Sequence, residues 1–190
     1  ANRVFDIGEP ALELPAEKDR FYPQGSMAAH VLGYVTDGTD EDGNLVKVGN
    51  LGMEAVLNER LNDPAHRGEP AAIALDLRVQ GALEDELRKG MLAVNARGAT
   101  GLVLDVDTGE VIALASLPSF DPNEVKPEDL IGTKEQRRLK QPSNSFNSVT
   151  HQVYELGSTF KPLSVAAAID AGIVRDLSLR YDAKPVKVAG

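Results

Sequence analysis

From Phe160 to Ile169 the chain carries a helix with almost no polar side to turn toward water. Phe160, Leu163, Val165, Ala166, Ala167, Ala168 and Ile169 spread apolar surface nearly all the way round it. A helix of that kind belongs in a core, so the fold must supply apolar neighbours around it. Ser158 stands at its start and Gly172 is its natural C-terminal stop.

The sequence around it predicts an antiparallel sheet with helices. Asp76 is placed to cap a helix running to about Arg97, in which Leu77, Gln80, Leu83, Leu87, Met91 and Val94 recur at helical spacing. Thr100 to Leu117 reads as a hairpin, with Leu102–Val106 as one strand, Asp107-Thr108-Gly109 as the turn and Val111–Leu114 as the return. Both strands are nearly continuous in apolar residues, which predicts cover on both faces. Residues 118–147 read mostly as loop, with a charged helix around Glu128–Lys140, and the tail from Leu177 to Gly190 reads as short strands.

The earlier part is more punctuated. Ala28 to Val35 reads as an ordered element ending near Gly33, and Gly52-Met53-Glu54 opens a short helix through about Leu61. Between them, Asp37-Gly38-Thr39-Asp40-Glu41-Asp42-Gly43-Asn44 invites a calcium-loop reading. No register places carboxylates in the EF-hand order ahead of its invariant glycine, so it is read as a solvated acidic turn. Turn chemistry at Asn62-Asp63-Pro64 and Arg67-Gly68-Glu69-Pro70 divides the chain into regions 1–68 and 69–190. The expected class is α+β, with 190 residues enough for one domain or one plus part of another.

Composition excludes several functions. The formal net charge of −9 argues against nucleic acid and against docking on an anionic leaflet through a basic patch. The chain has no cysteine, hence no disulfide framework and no thiolate zinc site. His30, His66 and His151 are scattered without metal-ligand spacing and read as structural or solvated. No apolar run approaches the length of a membrane span.

Chemistry concentrates at Ser158-Thr159-Phe160-Lys161. A spacing of three puts Ser158 and Lys161 on one helix face, a turn apart. A serine hydroxyl is a weak nucleophile that needs an adjacent base, and lysine can be that base where burial or a neighbouring cation lowers its pKa. A helix start adds free N–H groups and the positive end of the macrodipole, which favour negative charge developing during acyl transfer. The tetrapeptide alone is weakly specific, since the same residues describe a capping serine followed by a surface lysine. Its setting adds Gly157, which permits close approach, and Pro162 in the first turn, where a missing N–H is tolerated.

Tyr154-Glu155-Leu156-Gly157-Ser158-Thr159-Phe160-Lys161-Pro162 resembles the active-site segment of class B penicillin-binding proteins. Arg20-Phe21-Tyr22-Pro23-Gln24-Gly25 with Ala28–Val35, and then Gly52-Met53-Glu54, resemble signatures of that family's non-catalytic pedestal (dimerisation) domain. Gly98–Asp105, Thr108–Ser116 and Pro118–Asn123 resemble the first hairpin of the transpeptidase domain and its exit loop. Several segments in the family's order carry far more weight than one tetrapeptide, and the Ser158 segment looks more like the division-specific branch. Ser148 stands where the family often has Arg, Leu156 where Pro is common, and Glu9 and Ala11 loosen a Gly-Ile-Pro-Gly-like step.

The resemblance implies a peptidoglycan D,D-transpeptidase in which Ser158 is the nucleophile and Lys161 the general base. It implies stem peptides as substrates, β-lactams as acylating inhibitors, and no metal or organic cofactor. It also implies a membrane glycosyltransferase and divisome proteins as partners, and a place on the periplasmic face of the cytoplasmic membrane through an N-terminal helix absent from this chain. The family also uses Ser-x-Asn and Lys-Thr-Gly after the Ser-x-x-Lys helix. Lys-Thr-Gly does not occur here, and Ser145-Phe146-Asn147 precedes Ser158, so its match is read as coincidence. The chain is accordingly expected to be the later part of a pedestal followed by the first part of a penicillin-binding/β-lactamase-like transpeptidase domain, with little activity alone. Two other readings are a Ser-x-x-Lys β-lactam sensor or class D β-lactamase, and a non-catalytic pedestal or scaffold for cell-wall synthesis partners.

Overall fold

The computed structural model describes residues 20–180, which divide into two compact units, one running to Gln152 and one beginning at Val153. Glu9 and Ala11 lie outside the described residues, as do positions 181–190 of the tail.

The first unit opens with helix α1 (Ala29–Leu32), followed by strands β1 (Val35–Thr39) and β2 (Leu45–Gly49). The acidic turn joins these strands: Asp40 Oδ1 accepts from the backbone N–H of Asn44 at 2.8 Å and of Asp42 at 3.0 Å, and Gly43 takes the left-handed conformation at φ 82°. The hairpin itself is not among the elements expected from the sequence, although Leu45-Val46-Lys47-Val48 carries the β-branched signature of a strand.

The helix expected through Leu61 is broken into α2 (Gly52–Val56) and α3 (Asn58–Asn62) at Leu57. The break lets two asparagines cap the outer edge of β2. Gly49 N–H donates to Asn58 Oδ1 at 2.8 Å, and Asn62 Nδ2 donates to the Lys47 carbonyl at 2.8 Å. Strand-edge groups that would otherwise need a further strand are thereby satisfied.

Helix α4 (Leu77–Ala93) is capped as expected, with Asp76 Oδ1 accepting from Arg78 N–H at 2.8 Å. Hydrogen bonds from Arg78, side chain first and then backbone, hold the Asp76 carboxyl down to about 2. Of the six predicted stripe residues, Leu77 and Val94 are exposed, and the fully buried side chain is the polar Gln80. Glu84, one turn on, is buried too. Gln80 Nε2 donates to the Leu114 carbonyl at 2.9 Å, and Leu114 N–H donates back to Gln80 Oε1 at 2.9 Å. Gln80 Nε2 also donates to Glu84 Oε1 at 2.8 Å, which accepts in turn from Ala28 N–H at 2.8 Å. The helix thus ties the start of α1 to the sheet through two polar side chains.

That sheet is β3 (Ala99–Leu104) paired antiparallel with β4 (Val111–Leu117), with Leu102 opposite Leu114. The turn falls on Asp107-Thr108-Gly109 as predicted: Asp105 Oδ1 accepts from the N–H of Asp107 and of Thr108, each at 2.9 Å, and Gly109 sits at φ 77°. Side chains alternate between sheet faces. On one face Gly101 lies under Leu83 and Leu87 of α4, where an added Cβ would come within 2.7 Å of Leu83 Cδ1. Ser116 sits on the other face, where its hydroxyl accepts from Ser148 N–H at 3.1 Å. The expectation of cover on both faces holds for β4 and fails for β3 among the described residues, because Leu102 and Leu104 are exposed. Among the described residues, no layer comparable to α4 packs on their outward face.

The first segment and the loop after the hairpin share a small core of Ala29, Tyr34 and Phe120, with Leu51 and Val125 against it. The Phe120 ring meets His30 and Tyr34 edge-on, with centroids 5.4 and 6.1 Å away. Asn123 repeats the device of Gln80: it accepts from Tyr22 N–H and donates to the Tyr22 carbonyl, both at 2.9 Å. Glu54 is buried where the Arg20 guanidinium and the Tyr22 hydroxyl reach it, at 3.0 and 3.2 Å. Burial, and then the Glu54 charge, push the Tyr22 phenol well above its ordinary value.

The charged helix expected over Glu128–Lys140 is two short helices, α5 (Pro127–Ile131) and α6 (Lys134–Arg138). Gly132 at φ 77° separates them, and Thr133 with Gln136 forms a reciprocal cap that starts the second. Helix α7 (Ser148–His151) closes the first unit.

The second unit holds a 3-10 turn (Gly157–Phe160) running straight into α8 (Lys161–Asp170). Gly172, at φ 69°, lies just past its end as predicted. The core position expected for this helix is not seen: Phe160 is 53% exposed, Leu163 57% and Val165 46%. The unit's described residues contain one α-helix, one 3-10 turn and no strand, so no second layer among them covers the apolar faces. Residues 177–180, read as strand, contain only a turn.

Candidate active site

Ser158 and Lys161 lie on one continuous helical run. Ser158 is the second residue of the 3-10 turn and Lys161 the first of α8, and Lys161 N–H donates to the Ser158 carbonyl. In a 3-10 turn, residues three apart eclipse each other, so both side chains issue from the same side of the run. The face expected from spacing is therefore reached through a tighter turn than an α-helix would give.

Local sequence explains the turn. Gly157 adopts φ 54°, in the left-handed region that favours glycine, and an added Cβ there would touch nothing within 4 Å. Gly157 therefore serves backbone conformation, where the sequence points to close approach. Thr159 donates both its N–H, at 3.1 Å, and its hydroxyl, at 2.5 Å, to the Leu156 carbonyl, anchoring the start. Pro162 stands in the first turn of α8, where its missing N–H leaves no bond unmade. Ser164 turns its hydroxyl back to the Phe160 carbonyl at 3.5 Å.

Ser158 and Lys161 are both exposed, and among the described residues neither side chain has a hydrogen-bond or ion-pair partner. The serine hydroxyl and lysine amine are open to a reacting group. The oxyanion donors and carboxylate-binding groups that acyl transfer requires are not assembled around them among the described residues.

Asn147 of the literal Ser-x-Asn match caps α7, its Oδ1 accepting from Val149 N–H at 3.1 Å. Ser145 N–H donates to the Asp129 carbonyl at 2.9 Å, and its hydroxyl lies 3.4 Å from that of Ser143. These contacts build the loop ahead of α7. His30 is buried, with Nε2 at 2.7 Å from the Asn144 carbonyl, whereas His151 is exposed and pairs with the Thr150 hydroxyl at 2.7 Å. No group of three or more metal-ligating side chains occurs among the described residues, and no helix among them is long and apolar enough to cross a membrane.

Comparison with known proteins matches both parts of the chain. Residues 6–89 match the penicillin-binding protein dimerisation domain, and residues 99–187 match the penicillin binding protein transpeptidase domain. A probable peptidoglycan D,D-transpeptidase FtsI of Caulobacter vibrioides is 36% identical over 97% of this chain and 28% of its own length. The probable peptidoglycan D,D-transpeptidase PenA of Neisseria gonorrhoeae is 33% identical over 99% of this chain and 33% of its own. The peptidoglycan D,D-transpeptidase FtsI of Escherichia coli K12 is 30% identical over 94% of this chain and 31% of its own. The crystal structure of Penicillin Binding Protein 2X from Streptococcus thermophilus superposes with a TM-score of 0.59 at 23% identity, over 80% of this chain and 24% of that one, a likeness of fold. The chain belongs to the class B penicillin-binding proteins, with part of a dimerisation domain followed by part of a transpeptidase domain. It spans about a third or less of the length of the curated relatives it matches.

Proposed function

We propose that the parent protein is a serine-type peptidoglycan D,D-transpeptidase, with Ser158 as nucleophile and Lys161 as general base. The Ser158 oxygen attacks the D-Ala-D-Ala carbonyl of a stem peptide while its proton passes to Lys161. The peptide bond breaks, D-Ala leaves carrying a proton, and an acyl-enzyme remains. An amine of a neighbouring stem peptide then attacks the ester, forms the cross-link and returns the serine. A β-lactam acylates the same oxygen by opening its ring. The observation that carries this reading is the bond from Lys161 N–H to the Ser158 carbonyl, which sets both side chains on one side of a glycine-initiated turn. That turn lies inside the span matching the transpeptidase family.

The same reading places residues 1–68 in the later part of the dimerisation domain and 69–190 in the transpeptidase domain. It assigns the protein to the division-specific branch, at the periplasmic face of the cytoplasmic membrane, working with a glycosyltransferase and divisome proteins. Residues 1–190 alone are expected to acylate poorly, because no groups that bind an oxyanion are assembled around the open Ser158/Lys161 pair among the described residues.

The test is labelling of the full-length protein by a fluorescent penicillin. Lys161→Ala removes the base but little packing, since this side chain is exposed. It is expected to lose at least about 100-fold in acylation rate, the usual scale of general-base catalysis, with its unfolding midpoint unchanged. Labelling at the wild-type rate would remove Lys161 from the mechanism.

A further inference from the structure

We draw no further inference here: the strongest candidate, the outer edge of strand β1 (Val35–Thr39) on the side of the hairpin away from the Asn58 and Asn62 amide caps, carries nothing because nothing in the structure shows what covers it.

Discussion

Gln80 pairs with Leu114 through its side-chain amide as a neighbouring strand would pair through its backbone. It gives one hydrogen bond to the Leu114 carbonyl and takes one from the Leu114 N–H, each at 2.9 Å. The amide closes the edge of β4 opposite β3, and its remaining contact with Glu84 carries the link on to Ala28. Helix α4 is fastened by this residue to strand β4.

Gln80→Ala therefore leaves a buried N–H and a buried carbonyl without partners, and is expected to destabilise the first unit by about 2–4 kcal/mol. Gln80→Glu keeps an acceptor for Leu114 N–H but sets a carboxylate against the Leu114 carbonyl and Glu84, so it should not restore stability. Urea denaturation of both variants checks this. Two wild-type midpoints would mean that the amide pairing contributes nothing net.

Gly33 and Gly52 face each other's chain segments. Gly33, at φ 84°, has no room for a Cβ against the Leu51 carbonyl, and Gly52, at φ 53°, has none against the Val31 carbonyl. Gly33→Ala is expected to cost more than about 2 kcal/mol, through both left-handed strain and main-chain overlap. Gly43→Ala is the control. Its φ is 82° but nothing lies within 4 Å of an added Cβ, so strain alone acts and the loss should be about 1 kcal/mol. Equal losses in the two variants would show that close approach at Gly33 adds nothing.

Burial lowers the His30 pKa below its ordinary value, outweighing the Asn144 carbonyl and the Glu84 charge, which both act to raise it. The neutral ring is thus favoured by folding. Its contribution is fully present above the unfolded pKa of about 6.5 and is lost as pH falls from there through the lowered folded value. The urea midpoint is expected to drop between neutral pH and pH about 5.5, and to drop less in His30→Gln. An equal drop in that variant would place the effect on other groups.

Legibility follows the range of each interaction. The cap at Asp76, the turn at Asp107-Thr108-Gly109, the stop at Gly172 and the Ser158/Lys161 face all depend on neighbours a few residues away, and all are written locally. What stays hidden depends on distant partners. Gln80 sits at a helical position that apolar residues usually fill, and its role becomes plain only when Leu114 lies across from it. Asn123 reads as a loop residue until Tyr22, far back in the chain, places its backbone beside it. The β1–β2 hairpin is masked by its own acidic turn, whose run of carboxylates dominates the short Leu45–Val48 strand signal. The apolar surface of α8 is plain from composition, but the described residues of its own unit supply no second helix or strand to cover it.

If Ser158 is the acylated nucleophile, it is the residue that carries the penicilloyl group after reaction with a β-lactam. The full-length protein would be treated with a β-lactam, digested with trypsin and sequenced by mass spectrometry. Because Lys161 precedes Pro162 and resists cleavage, Ser158 should lie in a peptide spanning residues 141–175. The expected result is one adduct per chain, on Ser158, and none in Ser158→Ala. An adduct on another residue, or stoichiometric labelling that persists in Ser158→Ala, would contradict it.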